Sequence, residues 1–260
     1  MKQDRRRFLK GLTAVSTTAA VPVTLAPGEA QAQHPHGARP KPAGAAAALE
    51  QAYVYLTPQE VEFVEAAVAR LIPADELGPG AKEAGVAYFI DQQLGGAWGA
   101  MARNYRQGPW PEGTPQQGYQ SPLTPKEVYR AAIPELDAAC VSRFQKPFAQ
   151  LQPAEQDQVL SELETGKLAL ASVPGPFFFN LLLANTMEGF FADPIYGGNR
   201  DKVAWKLVGF PGVAASYGEY IEKHGVPYNA EPVSIADMQN HAVATDEHGH
   251  PKHVLLTKVD

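Results

Sequence analysis

Residues 57–71 read TPQEVEFVEAAVARL, and this stretch decides the fold class. Thr57-Pro58-Gln59-Glu60 is a capping box: the Thr hydroxyl can accept from the third amide of a helix and Glu60 can reach back. Pro58 suits a first turn, where an N–H has no partner to lose. Val61, Val64, Val68 and Leu71 then fall on one stripe that ends before Pro73. The same signal recurs at Thr124-Pro125-Lys126-Glu127, followed by Val128, Ala131, Ala132, Leu136, Cys140 and Phe144 at a period near 3.6. Pro134 lies inside that pattern and predicts a kink or a split. Gln152-Pro153-Ala154-Glu155 opens a shorter helix through Leu163. Further helices are predicted over 85–94, ended by Gly95-Gly96, over 175–190, and over 213–224, closed by Gly225. No run alternates as a half-buried strand does. The expected fold is all-α, an irregular single-domain helical bundle with long ordered loops. The two Thr-Pro starts are one cap chemistry used twice, not a duplicated domain.

Two stretches outside the regular pattern are informative. Residues 174–212 read PGPFFFNLLLANTMEGFFADPIYGGNRDKVAWKLVGFPG: the aromatic run Phe177-Phe178-Phe179 leads through a helix into the turn Asp193-Pro194-Ile195-Tyr196-Gly197-Gly198-Asn199-Arg200. Gly197 and Gly198 permit backbone angles that residues with a Cβ avoid, while Pro194 fixes its own φ and restricts Asp193. That turn reads as built to hold a shape. Residues 95–121, GGAWGAMARNYRQGPWPEGTPQQGYQS, form a long loop rich in Gly and Pro and carrying Trp98, Tyr105, Trp110 and Tyr119. Large rings on such a scaffold suit a protein–protein anchor, and they equally suit folding back over a core. Both readings stand.

The N-terminal residues address the chain. Arg5-Arg6-Arg7-Phe8-Leu9-Lys10 fits the twin-arginine export pattern, with Asp4 where Ser or Thr is usual, and Arg5, Arg6, Phe8 and Leu9 carry the signal. The segment 12–26 is too short and polar to span a bilayer, which takes roughly 20 apolar residues, and Ala30-Gln31-Ala32 offers a small-x-small cleavage site. The expected organisation is a signal peptide over 1–32, a flexible linker over 33–52, a helical domain over 53–230 and a polar tail over 231–260. Removing 1–32 takes away five basic and two acidic residues, so the formal charge moves from −6 to −9. An acidic chain does not suit a phosphate backbone, so no nucleic acid is expected. No later segment reaches spanning length, so any membrane association is expected through partners, on the periplasmic face.

Independent chemistry finds little support. There is no Gly-x-Gly-x-x-Gly, hence no dinucleotide fold. One cysteine excludes Cys-x-x-Cys-His haem attachment and clustered-thiolate iron–sulfur ligation. Neither His-Glu-x-x-His nor a Gly-x-Ser-x-Gly elbow occurs. His241, His248, His250 and His253 near Asp246 and Glu247 match no defined metal spacing and read as a solvated tail, with a metal-handling role as the alternative. No catalytic, cofactor-binding or metal residue is expected on this chain.

Residues 174–212, together with 71–94, 105–124 and 202–225 and the twin-arginine leader, resemble the small subunit (subunit 3, or gamma chain) of periplasmic gluconate 2-dehydrogenase complexes. The resemblance spans about 53–230 and is carried by long blocks in the family's order. It implies an escort that exports a signal-less flavoprotein of the glucose-methanol-choline type and stays bound to it. FAD is then expected on that partner and haem c on a multihaem cytochrome c subunit, with the complex peripheral to the inner membrane. Trp98, Tyr105, Trp110, Tyr119 and, on the turn, Tyr196 are the candidate partner contacts. Cys140 lies on an apolar stripe and reads either as a small buried hydrophobe or, being unpaired in an oxidising compartment, as the origin of an intersubunit disulfide. A second functional reading is a self-standing periplasmic carbohydrate-binding protein whose ligand stacks on the aromatic loop.

Overall fold

The computed structural model describes residues 52–111, 113–213 and 220–254. Among them the chain is helical with no strand; three isolated bridges, Asp75–Gly78, Gly212–Val233 and Thr245–Pro251, are the extended pairings. In chain order the α-helices are α1 (Pro58–Leu71), α2 (Val86–Gly95), α3 (Pro125–Phe144), α4 (Pro153–Glu164), α5 (Gly175–Phe191), α6 (Val203–Val208) and α7 (Ile235–Gln239). Single 3-10 turns lie at Pro115–Gln117, Phe148–Gln150, Pro194–Tyr196 and Arg200–Lys202. The expected leader and its arginines lie outside the described residues, as do residues 214–219 of the helix expected over 213–224; residues 220–224 are described and form turns rather than an α-helix.

Both Thr-Pro starts form complete capping boxes. The Thr57 amide donates to Glu60 at 2.8 Å and the Thr124 amide to Glu127 at 2.7 Å. Gln152 uses its side chain in the same way ahead of α4. Pro134 neither breaks nor splits α3, which runs unbroken through it. Its side chain is exposed, so water can satisfy the Arg130 carbonyl that loses its N–H partner.

α5 is the centre of the bundle and packs against α1, α2, α3, α4 and α6. Its inner side buries Phe178, Phe179, Leu182 and Phe190, each removal from water worth roughly 1.5–3 kcal/mol. Phe178 stands 5.4 Å from the Tyr129 ring, edge to face, and 6.3 Å from Phe63, which meets Phe148 at 5.0 Å. Tyr129 is wholly buried, and its hydroxyl accepts from the Asn185 amide at 3.2 Å, so neither polar group is left without a partner. Among the described residues no helix is long and apolar enough to cross a membrane.

The boundary drawn at residue 231 needs correction. Val233 and Ser234 are buried, and the Val213 amide donates to the Val233 carbonyl at 2.7 Å. Gly212 makes that approach possible, since a Cβ there would stand 2.0 Å from the same carbonyl oxygen. Ser234 then caps α7, receiving the Asp237 amide at 3.0 Å. The residues that read as the start of a polar tail are a strap laid against the domain.

Candidate functional site

The turn that follows α5 is assembled by close backbone contact. A Cβ on Gly198 would lie 2.1 Å from the Gly189 carbonyl oxygen, and one on Gly189 would lie 2.7 Å from the Phe89 ring. Gly197 has φ 97° and abuts Tyr88, whose ring atom would be 2.5 Å from an added Cβ. Only glycines let the turn sit this deep between α2 and α5. Asn199 is completely buried; its amide donates to the Ala192 carbonyl at 2.9 Å and its oxygen accepts from the Ala204 amide at 2.9 Å. The Arg200 amide reaches the Ala84 carbonyl at 2.9 Å, tying the turn to the entry of α2.

Asp193 joins the turn to the strap. One carboxylate oxygen accepts from the Ile195 amide at 3.0 Å and the other from the Ile235 amide at 2.7 Å. Lys202 pairs with Asp237 at 2.8 Å. Burial pushes the Asp237 carboxyl up, but Lys202 and the two Ser234 donors outweigh it and hold it below the usual range. Asn199, Asp201 and Lys202 have φ of 46°, 57° and 58°, three non-glycine residues in the left-handed region within four positions. Such angles cost roughly 1–3 kcal/mol each and persist only where the surroundings enforce them.

This rigid base presents apolar side chains outward. Tyr196 is 54% exposed at the tip beside Ile195. Met187 and Phe191 on the outer side of α5, and Leu207, Val208 and Phe210 on and after α6, are exposed as well. Trp205 organises the last group: its indole N–H donates to the Phe191 carbonyl at 2.9 Å and its ring meets Phe210 at 5.1 Å. Between α6 and the α1–α2 loop lies a pocket of about 80 Å³, floored by Phe190 and Val203 and rimmed by Leu77 and Leu207. Leu77 is 75% exposed. Apolar rims around an apolar floor are what a partner's anchoring side chain requires.

The aromatic loop divides. Tyr119 packs edge-on against Phe177 at 5.3 Å and donates to the Leu123 carbonyl at 2.7 Å; burial pushes its phenol up to about 12. Trp110 is half-buried with the Arg106 guanidinium 5.5 Å from its ring centre. Arg106 also donates to the Pro122 carbonyl at 2.6 Å and so ties the middle of the loop to its C-terminal end. Trp98 is exposed and Tyr105 is 86% exposed. Tyr119 is thus committed to the domain, Trp110 is held within the loop, and Trp98 and Tyr105 are presented to solvent.

Cys140 is 1% exposed on the core side of α3. Burial, with Asp137 adding to it, pushes the thiol up to about 11. In this arrangement it behaves as a small apolar group, and a bridge to another chain would require α3 to leave the bundle. Among the described residues no group of three or more His, Cys, Asp or Glu side chains is placed to hold a metal. Asp246 accepts the His248 and His250 amides at 2.9 and 2.8 Å, and the His253 ring contacts the Val213 carbonyl at 2.8 Å. The histidines of the tail are spread along a turn and a strap.

Sequence reasoning missed Leu77, Leu207, Val208 and Phe210, because single apolar residues in short helices and loops carry no period. It also missed Asp91, a carboxylate on the buried stripe of α2 between Ile90 and Leu94. A charge on an apolar stripe is the signal that could have found it.

Among the described residues, fold and surface together define a helical domain with exposed apolar side chains on α5, α6 and the turn between them. The chain matches the gluconate 2-dehydrogenase subunit 3 family over residues 58–212 and belongs to it. Membership in a subunit family implies a multi-subunit dehydrogenase complex. No curated protein and no solved structure matches the chain.

Proposed function

We propose that this chain is the non-catalytic small subunit of a gluconate 2-dehydrogenase-like complex that oxidises a sugar acid, aldose or polyol. In this reading it escorts a flavoprotein of the glucose-methanol-choline type through twin-arginine export and then stays bound to it in the periplasm. FAD sits on that partner, and haem c on a multihaem cytochrome c subunit. The observation that carries the reading is the uncovered apolar surface of α5, α6 and the Asp193–Arg200 turn, which lies within the family-matched segment. An apolar face of this kind on an exported domain needs a partner to cover it. Arg5 and Arg6 supply the address for both chains.

Affinity purification of the tagged chain from the native periplasm tests the proposal. A stoichiometric protein with a flavin absorption spectrum, with or without haem, is the expected result. A chain that elutes alone and monodisperse defeats it. Replacing Arg5 and Arg6 by Lys should strand the flavoprotein in the cytoplasm, and normal export of the partner in that variant would remove the escort role.

A further inference from the structure

Residues 53–57 belong to no helix, yet their backbone and side chains are held from three directions. Asp91 is fully buried, and its carboxylate accepts the amides of Val54 at 2.7 Å, Tyr55 at 2.9 Å and Leu56 at 2.8 Å. The Gln92 side chain donates to it at 3.1 Å. Four donors use about all the lone-pair directions a carboxylate offers. From α3, Arg130 ion-pairs with Glu60, donates to the Tyr55 carbonyl at 2.7 Å and lies 4.5 Å from the centre of the Tyr55 ring. The Tyr55 hydroxyl donates to the Lys126 carbonyl at 2.6 Å. From α1, Glu65 accepts from the Tyr53 hydroxyl at 3.4 Å, and the Tyr53 ring meets Tyr88 of α2 at 6.1 Å.

We propose that residues 53–57 form a folding-gated latch, with Asp91 and Arg130 as its two jaws, that fixes the N-terminal joint of the domain. Asp91 and Arg130 lie 35 or more residues along the chain from the amides and the carbonyl they hold, on α2 and α3, so neither jaw exists until those helices have docked with α1. Three consecutive amides bound by one side chain also replace the ladder that a strand or helix would supply. The latch has a mechanical consequence. A pull along the chain at residue 52 meets the three Asp91 bonds before it reaches Thr57, the cap of α1. The rest of the bundle is shielded from whatever the preceding segment is attached to. Under the export reading this is where the leader's load is borne, but the latch itself does not depend on that reading.

Hydrogen exchange on the full-length chain tests the latch. In the native protein the amides of Val54, Tyr55 and Leu56 should exchange with the same denaturant dependence as those of Phe63 and Leu182, because they open only with the bundle. Asp91→Asn should speed exchange at those three amides by at least about tenfold, as expected when charge-assisted bonds become weaker neutral ones. Phe63 and Leu182 should change by less than about threefold. Fast, denaturant-independent exchange of residues 54–56 in the native protein would overturn the proposal. So would equal acceleration of all five amides in Asp91→Asn, which would make Asp91 a general prop of the core. If Asp91→Asn does not fold, Arg130→Met decides: its side chain is partly exposed, and its loss should loosen residues 54–56 with the core amides unchanged.

Discussion

Gly198→Ala isolates the contact on which the turn depends. The added Cβ would stand 2.1 Å from the Gly189 oxygen, 2.9 Å from its carbonyl carbon and 3.2 Å from its Cα. All three are backbone atoms of α5, so no side chain can rotate away, and the turn must lift by more than 1 Å to restore ordinary contact. Lifting it strains both hydrogen bonds of the buried Asn199, at 2.9 Å each. Overpacking alone costs roughly 1–3 kcal/mol, and a buried bond lost adds about 1 kcal/mol, so about 2–4 kcal/mol is expected. For a domain of this size that corresponds to roughly 5–12 °C in Tm. Gly209→Ala is the matched control: nothing lies within 4 Å of its added Cβ, but its φ is 69°. It should lose only the conformational part, about 1 kcal/mol. Thermal unfolding of the two variants beside the parent decides between steric and conformational origins. If Gly198→Ala proves as stable as the parent, or loses less than Gly209→Ala, the account of the turn as wedged against α5 is wrong.

Leu207→Asp combined with Val208→Asp should leave stability within about 0.5 kcal/mol, since both positions are exposed, yet abolish co-purification of the flavoprotein; retained capture with unchanged stoichiometry would place the interface elsewhere. Cys140 should resist a maleimide at pH 8 in the native protein and react fully in denaturant, as measured by mass spectrometry, because its thiol is buried and pushed up to about 11. Rapid native labelling, or a higher-mass band on a non-reducing gel that collapses on reduction, would reverse that assignment. Glu135 holds the segment before α5: the Ser172 hydroxyl and the amides of Ser172 and Ala171 donate to it, and these bonds hold its carboxyl below the usual range. A depressed folded pKa stabilises above the unfolded pKa and is lost as pH falls through the folded one. Stability should therefore decline less on acidification in Glu135→Gln than in the parent, read by denaturant melts between about pH 6 and 3; identical acid limbs would exclude this contribution.

The helices were legible because their signals are local. Thr57, Glu60, Thr124 and Glu127 sit within one turn of one another, and cap geometry follows from residue type and spacing alone. The glycine turn was legible as a shape for the same reason. What it rests on was not, since the contacts of Gly198 with Gly189 and of Gly197 with Tyr88 join segments whose approach no short-range pattern reports. The split that Pro134 allowed did not occur, because the cost of an interior proline depends on which side of the helix it occupies, and α3 places it on the exposed one. Residues 232–234 read as polar tail because two or three buried positions cannot establish a period. The strap they form is recognised only by the groove that Gly212 opens for it.

α5 shows why a strongly apolar segment leaves function undetermined at the sequence level. A helix that is apolar nearly all round reads as buried, and Phe177 to Phe191 reads so although Asn180, Asn185, Thr186 and Glu188 interrupt it. Its inner stripe is indeed core, while Met187 and Phe191 on the other side remain in contact with solvent. Periodicity alone does not separate the two, because aromatic residues occur on both: Phe178, Phe179 and Phe190 are buried, while Phe191 is exposed on the side that also carries Asn180 and Glu188. The bundle does: α1, α2, α3 and α4 cover one side, α6 reaches the last turn, and the Trp205 indole bonded to the Phe191 carbonyl extends the uncovered stripe into Phe210. An extended apolar stripe costs solubility in isolation and is compensated only when another surface removes it from water. Met187 and Phe191, the large apolar residues that α5 leaves at the surface, are the ones the proposed partner would cover.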